Sequence, residues 1–326
     1  MKKLITCFYS LLLFFQLFFI SSTIVNAVSV NTFQVTTDGS QQKDAFVYKD
    51  LIAYDSLSNI WGYNLETQEN FPIVQRDGQQ YITHLYKNFV VYQDIPPDSD
   101  SGDIRLYNVK TGKDTLIIGE PNSYSSGGTN GDYVIHLDGG ACGSLYAYHL
   151  HKNQTQHIVD NVCSPKISDD IVYWGEGAPG GSDIRGYDLK RKQFLDIAVE
   201  DGFQESAQIY ENNVVWYQYD SGNYSTYQAI VMKNLKTGKR KVIYETNTNS
   251  LQNPSISNKY VVWSESPSMH VNSVKAADLK TGEVFELQEA GPHQNSHTAT
   301  SIWKDTAAWM SWRTGNGDIY ASVIQK

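Results

Sequence analysis

No run of more than three basic residues occurs in the 326-residue chain, and its formal net charge is −9. An acidic chain without basic clusters excludes nucleic acid and an anionic membrane surface as expected partners. Signatures of common chemistry are missing too. There is no Gly-x-Ser-x-Gly elbow, no zinc motif and no phosphate-binding loop, which removes the familiar hydrolase and nucleotide-binding patterns. Sustained 3.6-residue periodicity is absent as well, so no helix is expected. Cysteine is scarce, at three residues.

Long hydrophobic runs are confined to the start of the chain. Lys2 and Lys3 precede the apolar stretch Leu11 to Ile20, and Val25-Asn26-Ala27 follows with small residues. This order reads as a secretory signal peptide over residues 1–27. An uncleaved anchor is the alternative, because Leu4 to Val25 is long enough to span a bilayer. Cys7 lies before the apolar core, on the wrong side for a lipid attachment motif. Cleavage removes the two lysines, leaving a net charge of −11 and two cysteines, Cys142 and Cys163. In an exported chain such a pair is expected to form a disulfide.

What the chain does have is a repeat. "NVCSPKISDDIVYWGEGAPGGSDIRGYDLKRKQFLDI" (Asn161 to Ile197) returns as "LQNPSISNKYVVWSESPSMHVNSVKAADLKTGEVFEL" (Leu251 to Leu287). Taking the last residue of "YVVW" as an anchor, equivalents fall at Tyr54, Tyr92, His136, Trp174, Trp216, Trp263 and Trp309, spaced 38 to 47 residues apart. A period near 40 signals a solenoid or a propeller.

Within each copy the apolar period is two, as strands require. Four residues before the anchor stands Asp50, Asn88, Asp132, Asp170, Asn212, Lys259 or Asp305. Asp and Asn tolerate the left-handed backbone of a tight turn, so a turn is expected there. A third strand such as "DIRGYDL" follows, then a hairpin turn, plainest as Lys-Thr-Gly-Lys at 110–113. A fourth strand closes each copy except the seventh, and "NTFQVTT" (Asn31 to Thr37) stands ready to supply it. The expectation is an all-β, seven-bladed β-propeller of four-stranded antiparallel blades over residues 28–326, closed by its N-terminal strand.

The pattern "P-x-I-S-x-x-x-V-V-W … D-I-x-x-Y-D-L-K-T-G" resembles the TolB-type, WD-like propeller repeats of exported bacterial proteins, over essentially all of residues 38–326. That resemblance implies the fold but little about function, since such propellers serve as scaffolds, receptors, peptidase-associated domains and polysaccharide lyases.

Propeller topology puts the loops between second and third strands on one face, together with the connections into the next copy. Those loops are long and variable, so a binding site is expected there. Cys142 and Cys163 fall on this face at adjacent copies, within reach of each other. Asp98, Asp100 and Asp103 alternate in "DIPPDSDSGD", a possible calcium loop lacking the EF-hand glycine and terminal glutamate. His270, His293 and His297, with Glu265 nearby, are the candidates for a metal or a base. Tyr124, Tyr219 and Trp312 are aromatics outside the repeat, suited to stacking on a sugar or peptide. The recurrent anchors read instead as packing between blades.

The expected function is an exported, non-catalytic propeller binding a protein or carbohydrate of the cell envelope or extracellular space through its variable loops, with no resident cofactor beyond possible calcium. The alternative is a polysaccharide lyase or hydrolase with a histidine or metal site at the propeller mouth.

Overall fold

The computed structural model describes residues 28–119, 124–139, 142–220, 227–268, 271–292 and 300–325. Every regular element among them is a strand. β1 (Ser29–Gln34) stands first. β2 to β5 are Gln42–Tyr48, Leu51–Ser56, Asn59–Asn64 and Glu69–Val74; β6 to β9 are Gln79–Tyr86, Phe89–Ile95, Asp103–Asn108 and Lys113–Ile118. β10 to β13 are Tyr124–Thr129, Tyr133–Asp138, Cys142–His149 and Gln154–Ser168. β14 to β16 are Ile171–Ala178, Gly181–Asp188 and Gln193–Ala198. β17 to β20 are Phe203–Tyr210, Asn213–Tyr219, Gln228–Asn234 and Arg240–Thr246. β21 to β24 are Ser250–Ile256, Tyr260–Ser268, Val271–Asp278 and Val284–Pro292. β25 to β27 are Thr300–Trp303, Thr306–Ser311 and Asp318–Gln325.

Three four-stranded antiparallel meanders form in chain order, β2 to β5, β6 to β9 and β21 to β24. A fourth four-stranded sheet has the order β1-β27-β26-β25, so the N-terminal strand pairs with the last one. The remaining sheet holds eleven strands, β10 to β20. It is continuous because β13 closes one meander and, without a break, opens the next. A single parallel bridge, Ser182 to Phe203, joins its last part.

Recurrent side chains explain why each copy folds alike. At the end of the third strand Asn64, Asn108, Asp188, Asn234 and Asp278 accept backbone N–H groups two or three residues on, pinning the hairpin turn. Gly112, Gly238 and Gly282 then take positive φ, as the Thr-Gly pattern predicts. In the earlier turn the left-handed residue is not the expected Asp or Asn but the one before it, at Lys49, Lys87, Asp169, Glu211 and Lys304. The Asp or Asn serves through its carbonyl instead, as when Asp50 accepts from Leu65 N and Asn88 from Val109 N, both at 2.8 Å.

The core lies between consecutive groups of strands, not within one group. Each apolar cluster combines two consecutive strand groups; Trp216, for example, packs with Ile184, Ile197 and Ala229. The last group packs on the first in the same manner, with Ile319 and Ala321 against Val47 and Tyr54. All seven anchors are at most 4% exposed, which makes them packing residues. First strands touch in succession from β2 through β6, β10, β13, β17 and β21 to β25, and β25 lies against β2.

Cys142 and Cys163 face each other across the β12–β13 ladder and form a disulfide with a Cα separation of 4.2 Å. The bond points to an oxidising, extracytoplasmic compartment. Replacing both cysteines by serine is expected to lower unfolding free energy by about 3 kcal/mol, measured by urea denaturation. An unchanged midpoint would mean that the ladder alone fixes this corner.

Candidate functional site

Because the strands alternate in direction, the second-to-third loops and the connections between groups gather on one face. One cavity lies by a connection on this face, and another runs between two outer strands. The first, of about 510 Å³, is lined by Asn59, Gln75, Arg76 and Asp77. The second, of about 380 Å³, lies between β1 and β24 and takes in Thr32, Gln34, Glu289, Arg313 and Tyr320. Trp312 is half-buried beside Arg313, and its indole N–H is enclosed without an acceptor among the described residues.

Several acids near this face are already engaged. Asp94 receives Arg76 Nε at 2.9 Å and Gln80 Nε2 at 3.0 Å. Asp114 receives Arg76 Nη1 and Arg105 Nη2, each at 3.1 Å, and the Tyr92 hydroxyl at 2.9 Å. Burial and the neighbouring Asp114 raise the Tyr92 phenol. Glu205 accepts the hydroxyls of Tyr217 at 3.0 Å and Tyr219 at 3.1 Å.

Two of the expected ligand-binding residues turn out to be internal. Tyr219 is 6% exposed and stacks on Phe203 at 4.6 Å and on Tyr217 at 5.4 Å, so its ring is not offered to a ligand. Glu265 has no exposed surface; it pairs with Lys275 Nζ at 2.7 Å, accepts the Tyr244 hydroxyl at 3.1 Å and bonds Asn249. The calcium expectation is not met either. Asp98 and Asp100 are exposed, and Asp103 turns toward Arg105, 3.7 Å away. Among the described residues no three His, Cys, Asp or Glu side chains gather as metal ligands. His270, His293 and His297 lie outside the described residues, as does the side chain of Tyr124.

A second group of polar residues lies on the first strands, where sequence reasoning did not look. In each of six first strands the register with the second strand slips by a bulge. At Asp44, Ser164, Ser206 and Asn253 the backbone takes positive φ, and bulges of this kind re-aim side chains. Eight residues before the anchor stand Phe46, His84, Gly128, Lys166, Gln208, Ser255 and Ser301. His84 Nδ1 accepts Thr129 N at 3.1 Å, and Lys166 Nζ donates to Ala207 O at 3.2 Å. Burial, with Lys166 adding repulsion, lowers His84 to about 4. Burial alone lowers Lys166 to about 8. Nearby, Asp55 is 4% exposed and accepts Ile82 N at 2.8 Å through one oxygen, while the other is buried without a hydrogen-bond partner. Burial pushes Asp55 up to about 8, with the Ile82 hydrogen bond opposing and Asp44 adding to the rise.

No family profile matches the chain, and no curated protein sequence does. Solved structures do. An oligogalacturonate lyase in complex with manganese matches with a TM-score of 0.65 at 11% identity, covering 92% of this chain and 97% of the lyase. The oligogalacturonate lyase of Vibrio parahaemolyticus matches at 0.64 and 13% with the same coverage. A prolyl endopeptidase matches at 0.62 and 13%, over 84% of this chain but only 47% of the peptidase. At such identities the likeness is one of fold: the chain has a propeller-like, all-β architecture.

Proposed function

We propose that this chain is an exported seven-bladed β-propeller, residues 28–326 following a signal peptide at 1–27, that cleaves an acidic polysaccharide at the face of the blade connections. The apolar layers between consecutive strand groups, the contact of β25 with β2 and the pairing of β1 with β27 support the ring. Coverage carries the functional reading. Chain and lyase match over nearly their whole lengths, whereas about half of the prolyl endopeptidase has no counterpart here. No metal-dependent step is assigned, because the described side chains form no ligand set.

A second reading is binding of a cell-envelope protein or glycan without turnover. It is favoured by the acids near the mouth, since Asp94, Glu205 and Glu265 are each held by hydrogen-bond donors. Incubating the mature protein with oligogalacturonate, with manganese or with chelator, separates the two. The unsaturated product of a lyase, followed by its ultraviolet absorbance, is the expected result. Binding without product would leave the second reading, and neither binding nor product across a panel of acidic glycans would remove the first.

A further inference from the structure

We propose that Lys166, His84 and Gln208 form a carboxylate-binding subsite on the inner rim made by the first strands. It stands whether or not the chain turns over a polysaccharide. The three side chains occupy the same position of three different first strands, β13, β6 and β17. Between the strands of His84 and Lys166 runs β10, where the equivalent residue is Gly128. A Cβ on Gly128 would come within 2.9 Å of Ile167 and 3.8 Å of His84, so glycine lets the strands close up between them.

Each polar group in this set is left with a donor to spare. Lys166 is half-buried, burial lowers its ammonium, and the hydrogen bond to Ala207 O leaves two of its N–H bonds unused among the described residues. Among the described residues no carboxylate pairs with it or offsets the cost of its burial. An enclosed cation without a counter-ion is expensive and rarely kept for stability alone. The neutral His84 ring accepts through Nδ1, so its proton sits on Nε2. Gln208 accepts the Tyr173 hydroxyl through Oε1 at 3.4 Å, which leaves its amide N–H groups as donors. Lys166 is near enough to lower His84 and bonds the residue beside Gln208, so one cation and two neutral donors are available to the two oxygens of a carboxylate. A monosaccharide-sized acid fits that description; a neutral sugar does not.

The test is binding of galacturonate, acetate and galactose to the mature protein, followed by ligand-detected NMR. Galacturonate and acetate should bind and galactose should not. Lys166→Met should weaken both acids by about tenfold or more, as loss of a charge-assisted hydrogen bond predicts, and Lys166→Arg should restore most of the affinity. Thermal melts establish that both variants are folded. Equal binding of galactose, absence of acid binding to the wild type, or wild-type affinity in a folded Lys166→Met protein would each overturn the assignment. Loss of polysaccharide cleavage alone would not bear on it, because acetate is not a substrate.

Discussion

Replacing Lys275 by Met is expected to destabilise the protein by about 3–5 kcal/mol, the usual consequence of stranding a buried charge. Glu265 has no exposed surface, and Lys275 Nζ lies 2.7 Å from its Oε2. Burial disfavours the lysine ammonium, but Glu265 and Tyr244 outweigh it and the group is raised overall. Without the ammonium, the carboxylate retains, among the described residues, the Tyr244 hydroxyl and the Asn249 amide. The double variant Glu265→Gln/Lys275→Met removes both charges and is expected to recover most of the loss. Urea denaturation of the wild type, the two single variants and the double variant gives the coupling directly. Additive losses would mean that the pair is solvated and that Glu265 remains open to a ligand.

That pair also shows where sequence reading stops. The repeat was legible because each copy states its strands at period two and its turns by Asn, Asp and Gly at fixed offsets, as Asn108 and Gly112 do. Cys142 and Cys163 were legible as a pair once each had been placed in its copy. The continuity of β13 was not, since the expected loop "DNVCSP" stays within one bulged strand that pairs on both sides. Glu265 and Tyr219 were expected at the surface because their loops vary. Their burial depends on Lys275, Tyr244, Phe203 and Glu205, which reach them from other strands or across a ladder. His84, Lys166 and Gln208 were missed for the opposite reason. They occupy a column of the repeat whose residue type changes from copy to copy, and only reading that column down all seven copies would have brought them together.

Stability is expected to peak near pH 6.5, fall toward pH 8 and fall again toward pH 4. His136 is 1% exposed and is lowered to about 4 by burial, against the weaker opposing pull of Asp138; His84 is held near the same value. The unfolded chain therefore takes up two protons between pH 6.5 and 4 that the folded chain refuses. The stability these residues contribute is present above 6.5 and is lost as pH falls through 4. Asp55 has the opposite sign. Raised to about 8, it keeps in the folded state a proton that the unfolded carboxyl releases above its model value of 3.8. Its contribution is complete below that value and is lost as pH rises through 8. Between pH 4 and 6.5 two histidines act against one aspartate, a net slope of about 1.4 kcal/mol per pH unit at most. Water reaching the half-buried His84 makes its share smaller. Between 6.5 and 8 Asp55 acts alone and the slope reverses. Above 8 the unfolded chain protonates Lys166 more readily than the folded one does, so stability recovers from a minimum near pH 8. Urea midpoints at successive pH values trace the curve. His136→Phe should flatten the acid limb, and Asp55→Asn should remove the decline from 6.5 to 8 while steepening the acid limb. A decline above 6.5 that survives Asp55→Asn would place its cause elsewhere than in the buried carboxyl.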